Sequence, residues 1–276
     1  NQTISLLILS GRAKNYPVIF GPISAHVYRR PLDERILMNI TSKLHIETIK
    51  RCNIIVTITR QVKRLYSGVI DEEKIRVIPF AVNVDLFKPP ENHFERDVYE
   101  ILFAGYLYKL KGVEYLVRAM RLVLNERKNV KLLIAGDGPE RARLIELAKK
   151  LGMKDKVAFL GAVPYNEMPK LYQRCDVFCL PTLGEPFGKT LIEAMACAKP
   201  VISTKRGGPS EIIEDGKNGF LVPPADPEAI ARKILLLIED DKTRKMIGET
   251  ARRTAVERYS WEAVSQRYHE LYRSLL

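Results

Sequence analysis

The chain has 276 residues, of which 46% are hydrophobic and 28% charged, so it is long and apolar enough to bury the cores of two compact units. It contains no run of about eighteen uncharged apolar residues, which excludes a membrane-spanning helix. The formal net charge is +12, concentrated in residues 1–80, where thirteen Lys and Arg face six Asp and Glu without the aromatic interleaving that grips nucleic acid.

Residues 1–84 read as a first Rossmann-like unit. Apolar runs at 17–20, 54–58 and 76–79 are expected strands, and 33–51 and 60–66 carry helical spacing. The chain starts at Asn1 with neither an initiator Met nor a leader pattern, so a fragment of a longer protein is expected. Arg29, Arg30, Arg35, Lys50, Arg51, Arg60, Lys63 and Arg64 could face an anionic membrane, a phosphorylated acceptor or simply water. Residues 85–99, with Pro89, Pro90 and Asn92, read as a linker.

Residues 100–260 alternate strands and helices, the pattern of a parallel sheet covered on both faces. Strands are expected at 100–107, 130–135, 157–160, 177–180, 200–204 and 219–222. Helices are expected at 112–126, 140–151, 167–174, 187–197, 209–214, 227–239 and 242–259. A last helix at 261–276 carries the stripe Trp261, Val264, Tyr268, Leu271 and Leu275, which suits either core packing or a return to the first unit. Cys52, Cys175, Cys179 and Cys197 lie in apolar contexts without metal-ligand spacing, so buried thiols, no metal and a reducing cytoplasm are expected.

Ligands of open α/β sheets bind outside the carboxyl ends of the strands. Three loops of the second unit fall there: 105–112, Gly136–Pro139 and Gly161–Pro164. A fourth is the most informative. Strand 176–180 runs into Pro181, Gly184 and Pro186, and a helix then starts near Phe187. The amides of Gly188, Lys189, Thr190 and Leu191 would be free donors at its N-terminus, a place that favours phosphate. Glu185 would precede the helix and Glu193 lie within it, about 9 Å further along at about 1.5 Å per residue. That separation suits a hexose at one end and a ribose at the other.

Glu185 and Glu193, followed by Ala194-Met195-Ala196, resemble the signature of retaining glycosyltransferases of family 4. The resemblance implies an α/β fold of the GT-B type, two Rossmann-like domains with parallel sheets, the N-terminal one incomplete because more strands would lie upstream of Asn1. It gives Glu185 the hydroxyls of the donor sugar, Glu193 those of the ribose, and a nucleoside-diphosphate sugar as donor with no cofactor besides. Gly105, Lys111 and Gly112 match the family's phosphate loop, with Lys111 a cation for the diphosphate. Tyr106 stands where the family usually has Arg, and Lys109 or Lys189 could replace that charge. Gly136 matches a tight turn of the family, Val163 the backbone contact to the nucleobase, and Phe187 the start of the donor-binding helix. Arg206-Gly207-Gly208 matches a glycine-rich turn that would shape the sugar pocket or merely turn the chain.

On the acceptor side the family often carries a His, but alignment puts Ile23 at that place; His26, three residues on, is the candidate. The implied reaction moves a hexosyl group to a hydroxyl of a glycan, a lipid-linked or a small-molecule acceptor with retention, in the cytoplasm or at the inner face of the membrane. A non-catalytic nucleotide-sugar-binding fragment and a sugar-nucleotide epimerase are the alternatives. A nicotinamide-dependent dehydrogenase is disfavoured, because Gly136-Asp137-Gly138 lacks the full G-x-G-x-x-G spacing.

Overall fold

A computed structural model of the protein describes residues 18–23, 46–91 and 97–275. The chain divides into two units, Asn1–Phe80 with Ser265–Leu276, and Ala81–Val264. The expected linker at 85–99 falls inside the second.

Among the described residues the first unit holds a parallel sheet of three strands in sequence order: β1 (Ile19–Ile23), β2 (Ile54–Thr57) and β3 (Ile75–Val77). Ile19 is level with Ile54, and Ile55 with Ile75. Every residue of β2 is buried, as a central parallel strand requires. Thr59 caps α1 (Arg60–Tyr66), its hydroxyl accepting from the Val62 amide at 3.2 Å. Of the helix expected at 33–51, residues 46–50 are helical and 33–45 lie outside the described residues. Among the described residues no helix is long and apolar enough to cross a membrane.

The second unit is built on six parallel strands, β4 (Tyr99–Ala104), β5 (Val130–Ala135), β6 (Val157–Gly161), β7 (Val177–Leu180), β8 (Val201–Thr204) and β9 (Phe220–Val222). Their spatial order is β6-β5-β4-β7-β8-β9. The chain lays strands outward from β4 to β6, then returns to pair β7 with the free side of β4. The order therefore reverses between β4 and β7, the switch point at which such sheets bind ligands. Their connections are α2 (Val113–Glu126), α3 (Arg141–Lys150), α4 (Met168–Arg174), α5 (Lys189–Ala196) and α6 (Pro209–Ile212). They are followed by α7 (Pro227–Glu239), α8 (Asp241–Tyr259) and α9 (Trp261–Arg273), the last divided between the units at Ser265.

Burial explains the helices. In α2 the apolar residues Val113, Leu116, Val117, Met120, Val123 and Leu124 recur at helical spacing and are buried, packing on α3 and α7. On α5 all of Leu191–Ala196 is buried, between α4 and α8. Asp226 and Asp240 cap α7 and α8, accepting from Ala229 and Thr243 amides at 2.9 Å each. The four cysteines are buried and none is in a disulfide.

Candidate functional site

The loops at the carboxyl ends of β4 to β8 are held to one another by backbone and hydroxyl groups. Gly105 donates to the Ala135 carbonyl at 2.9 Å, Leu107 to that of Asp137 at 2.8 Å, and Gly136 to that of Gly161 at 2.7 Å. The β4 and β7 loops, on the two sides of the switch point, are joined at Leu110, whose carbonyl accepts from the Leu183 amide at 2.8 Å and the Thr182 hydroxyl at 3.1 Å. Thr204 at the end of β8 donates its hydroxyl to the Thr182 carbonyl at 2.6 Å. These ties carry Lys111 on one loop to Glu185 on the other, and the two side chains form an ion pair with 16% and 14% exposure respectively.

Glu185 is fixed from behind by the Arg206-Gly207-Gly208 turn. The Gly208 amide donates to the Glu185 carbonyl at 2.7 Å. At Gly207, φ is +79° and a Cβ would stand 2.3 Å from that same carbonyl oxygen, so no other residue lets the turn approach this closely. The glycine-rich turn is thus the support of the acidic loop.

Gly188 ends that loop. Its φ of +102° makes it the cap from which α5 begins, one residue later than Phe187 and in a conformation that favours glycine. The amides of Gly188, Lys189 and Thr190 have no hydrogen-bond partner among the described residues. Leu191 departs from expectation, because its amide donates to the Gly188 carbonyl at 2.9 Å and its side chain is fully buried. The Phe187 ring is buried against Tyr259 of α8, centroids 5.9 Å apart. Three amides and the helix dipole remain as a seat for an anion.

Glu193 lies one turn into α5, with 5% of its surface exposed. Its Oε2 accepts from the Tyr172 hydroxyl at 2.9 Å. Burial pushes its carboxyl up from 4.5 to about 7, against the opposing pulls of the Tyr172 hydroxyl and the Lys189 charge. Burial, followed by the Glu193 charge, holds the Tyr172 phenol well above its usual range.

The other expected residues line the same end of the sheet. Tyr106 is 61% exposed, its ring 5.7 Å from that of Tyr108, over which Lys111 Nζ stands at 5.8 Å. Val163 is half-buried in the β6 loop. Lys189 Nζ sits 5.9 Å from the centre of the Tyr165 ring. His26, Arg29, Arg30 and Arg35 lie outside the described residues.

Three features had escaped the sequence. Tyr172, expected only as a helix residue, carries the hydrogen bond to Glu193. Tyr165, beside Val163, has its phenol raised by burial and by the Glu193 charge. Arg252 donates one guanidinium nitrogen to the carbonyls of Ala196 at 2.8 Å, Phe87 at 2.9 Å and Val84 at 3.1 Å, tying the end of α5 to the segment that precedes β4. The only signal for Arg252 is its place beside the buried Ala251 on α8.

Residues 86–254, more than half of the chain, match the family model of glycosyl transferases group 1. An uncharacterized glycosyltransferase of Methanocaldococcus jannaschii is 35% identical over 242 residues, covering 83% of this chain and 62% of that protein. A D-inositol 3-phosphate glycosyltransferase of Corynebacterium jeikeium is 34% identical over 218 residues, 73% of this chain and 52% of that protein. The chain thus spans about half to three-fifths of the length of these curated relatives. Among solved structures, Anabaena HepE in complex with UDP superposes with a TM-score of 0.85 at 21% identity, covering 99% of this chain and 77% of that one. The shared fold is α/β with parallel sheets, of the GT-B type.

Proposed function

The chain belongs to the glycosyl transferases group 1 family, and from that premise we propose that its second unit holds a nucleoside-diphosphate sugar and transfers the sugar to a hydroxyl acceptor. The observation that carries this reading is the alignment, across the switch point, of one cation, one acidic loop and three open helix amides. The diphosphate takes the amides of Gly188 to Thr190 together with Lys111. The sugar lies toward Glu185 and the ribose toward Glu193. The nucleobase follows toward the β6 loop at Val163. Structural neighbours whose complexes hold UDP or UDP-glucose support a uridine nucleotide as the first donor to try.

The transferred group is a hexose and its configuration is retained. The bond between the anomeric carbon and the diphosphate oxygen breaks, a bond from that carbon to the acceptor oxygen forms on the same face, and the acceptor proton leaves with the diphosphate. Lys111 and the amides meet the charge that develops on the leaving group, and Glu185 orients the sugar as it gains oxocarbenium character. The chemistry asks for no cofactor besides the donor. The acceptor is a glycan, a lipid-linked or a small-molecule hydroxyl.

Calorimetry with UDP, GDP and ADP, followed by transfer assays on Lys111→Ala and Glu185→Ala, tests the assignment. Loss of Lys111 should weaken nucleoside-diphosphate binding by roughly tenfold or more. Loss of Glu185 should leave that binding intact or slightly tighter, because Lys111 is released from its ion pair, while transfer falls on the order of 10²-fold. Transfer at the wild-type rate in either variant refutes the role assigned to the residue it lacks.

A further inference from the structure

We propose that Tyr172 is a positioning residue for the donor: its hydroxyl claims one oxygen of Glu193 and so presents the other, in a fixed orientation, to the ribose hydroxyls. The inference rests on the donor reading above and adds to it a residue that touches no ligand.

Tyr172 is fully buried and cannot choose another partner. Its ring is wedged between Phe87 and Phe178, edge-to-face on both sides, with centroids 5.8 Å and 5.5 Å away. The phenol donates to Glu193 Oε2 at 2.9 Å, while Oε1 accepts no hydrogen bond from the described residues. One oxygen is thus claimed and the other is left to a ligand.

The frame around this pair is closed. Arg252 holds the Phe87 carbonyl at 2.9 Å and the Ala196 carbonyl at 2.8 Å, so the segment carrying Phe87 and the helix carrying Glu193 are fastened to one guanidinium. Phe87 in turn presses on Tyr172. The hydroxyl therefore meets the carboxylate along a path fixed at both ends. A carboxylate free to rotate would give a pair of vicinal hydroxyls no preferred acceptor, and ordering it at binding would cost affinity.

A consequence separates this role from packing alone. The groups facing Glu193 are Tyr172 from α4, Tyr165 from the β6 loop, and Lys189 and Cys197 from the ends of α5; Arg252 of α8 meets that helix at Ala196. Of these, Tyr172 alone donates a hydrogen bond to the carboxylate, favouring its ionised form. Removing the hydroxyl should raise the pH below which the site loses its acceptor.

The experiment measures affinity for the tightest binder among UDP, GDP and ADP on the full chain, from pH 5.5 to 8.5. The proteins are wild type, Tyr172→Phe, Glu193→Ala and the double variant. Wild-type affinity should fall as pH drops through about 7. Tyr172→Phe should weaken binding roughly tenfold at pH 8 and begin its decline at higher pH. On the Glu193→Ala background the same change should cost less than about twofold, since Tyr172 acts only through Glu193. The nucleotide is the same in every arm, so its own protonation cancels in the comparison. Equal losses on both backgrounds, or an unmoved pH profile, would overturn the positioning role. If Glu193→Ala itself binds like wild type, the ribose assignment fails first and the two failures are told apart. Should Tyr172→Phe not fold, a crystal structure of the wild type with the nucleotide decides: ribose hydroxyls on Oε1 with Tyr172 on Oε2 support the inference, and ribose on Oε2 or a displaced phenol overturns it.

Discussion

Replacing Glu193 by Gln should stabilise the ligand-free protein and weaken its grip on nucleotide, and the two effects can be separated by pH. The carboxyl binds its proton at about 7 in the folded chain against a usual 4.5, because burial penalises the charge. Below 4.5 both the folded and the unfolded chain hold the proton, and the group is neutral to stability. Between 4.5 and about 7 the unfolded chain has released it and the folded chain has not, so stability declines as pH rises. At about 1.4 kcal/mol for each pH unit, the loss by pH 8 comes to about 3 kcal/mol. Glutamine keeps an acceptor for Tyr172 and carries no charge, so it removes this loss. With about 2–4 °C of Tm per kcal/mol for a unit of this size, Glu193→Gln should melt close to wild type at pH 5 and about 6–12 °C above it at pH 8. Calorimetry at both pH values, with and without saturating UDP, reads both quantities. The nucleotide-induced rise in Tm should shrink in the variant. An equal Tm difference at pH 5 and pH 8 would refute the burial argument, and an undiminished response to nucleotide would remove Glu193 from the site.

Two further substitutions probe the scaffold. Gly207→Ala places a Cβ 2.3 Å from the Glu185 carbonyl at a φ of +79°, so the turn must retreat; a loss of about 1–3 kcal/mol and a marked fall in transfer are expected, and an unchanged Tm would contradict the support role. Asp226→Ala deletes the cap of α7, remote from the donor loops, and should lower Tm by about 2–4 °C while leaving nucleotide affinity within error.

Where burial is nearly uniform, the chain is readable to the residue. Val177–Leu180 is a wholly buried apolar run and Val130–Ala135 is buried but for Lys131, and both are strands with the expected bounds. Reading failed where an apolar residue is buried by a loop. The strand expected to reach Leu107 stops at Ala104, and Leu107 is buried because its amide is tied to Asp137. The apolar side chain of Phe187 suits the helix that follows, yet the backbone of Gly188 sets the start. The acidic loop and its helix were legible because their spacing is local. The Lys111–Glu185 pair joins residues 74 apart, and Arg252 reaches back 168 positions to Val84; only the order of strands brings such residues together.

The Lys111–Glu185 ion pair bears on how the proposed donor site would work. Lys111 and Glu185 are each about one-sixth exposed, deep enough that either charge left alone would cost more than an exposed pair returns. Pairing them keeps the ligand-free loops together without a counter-ion. In the proposed function a diphosphate would offer Lys111 a higher charge, seated on the helix amides, so the lysine would gain by exchanging its carboxylate for the ligand. The same exchange would bare a Glu185 oxygen as an acceptor for sugar hydroxyls only once the diphosphate is in place. A nucleoside without phosphates would not drive that exchange. The proposal therefore predicts that binding of the sugar end is conditional on binding of the phosphate end: calorimetry should show a nucleoside diphosphate binding and the free sugar binding only in its presence, and a free sugar that binds equally well alone would refute the coupling.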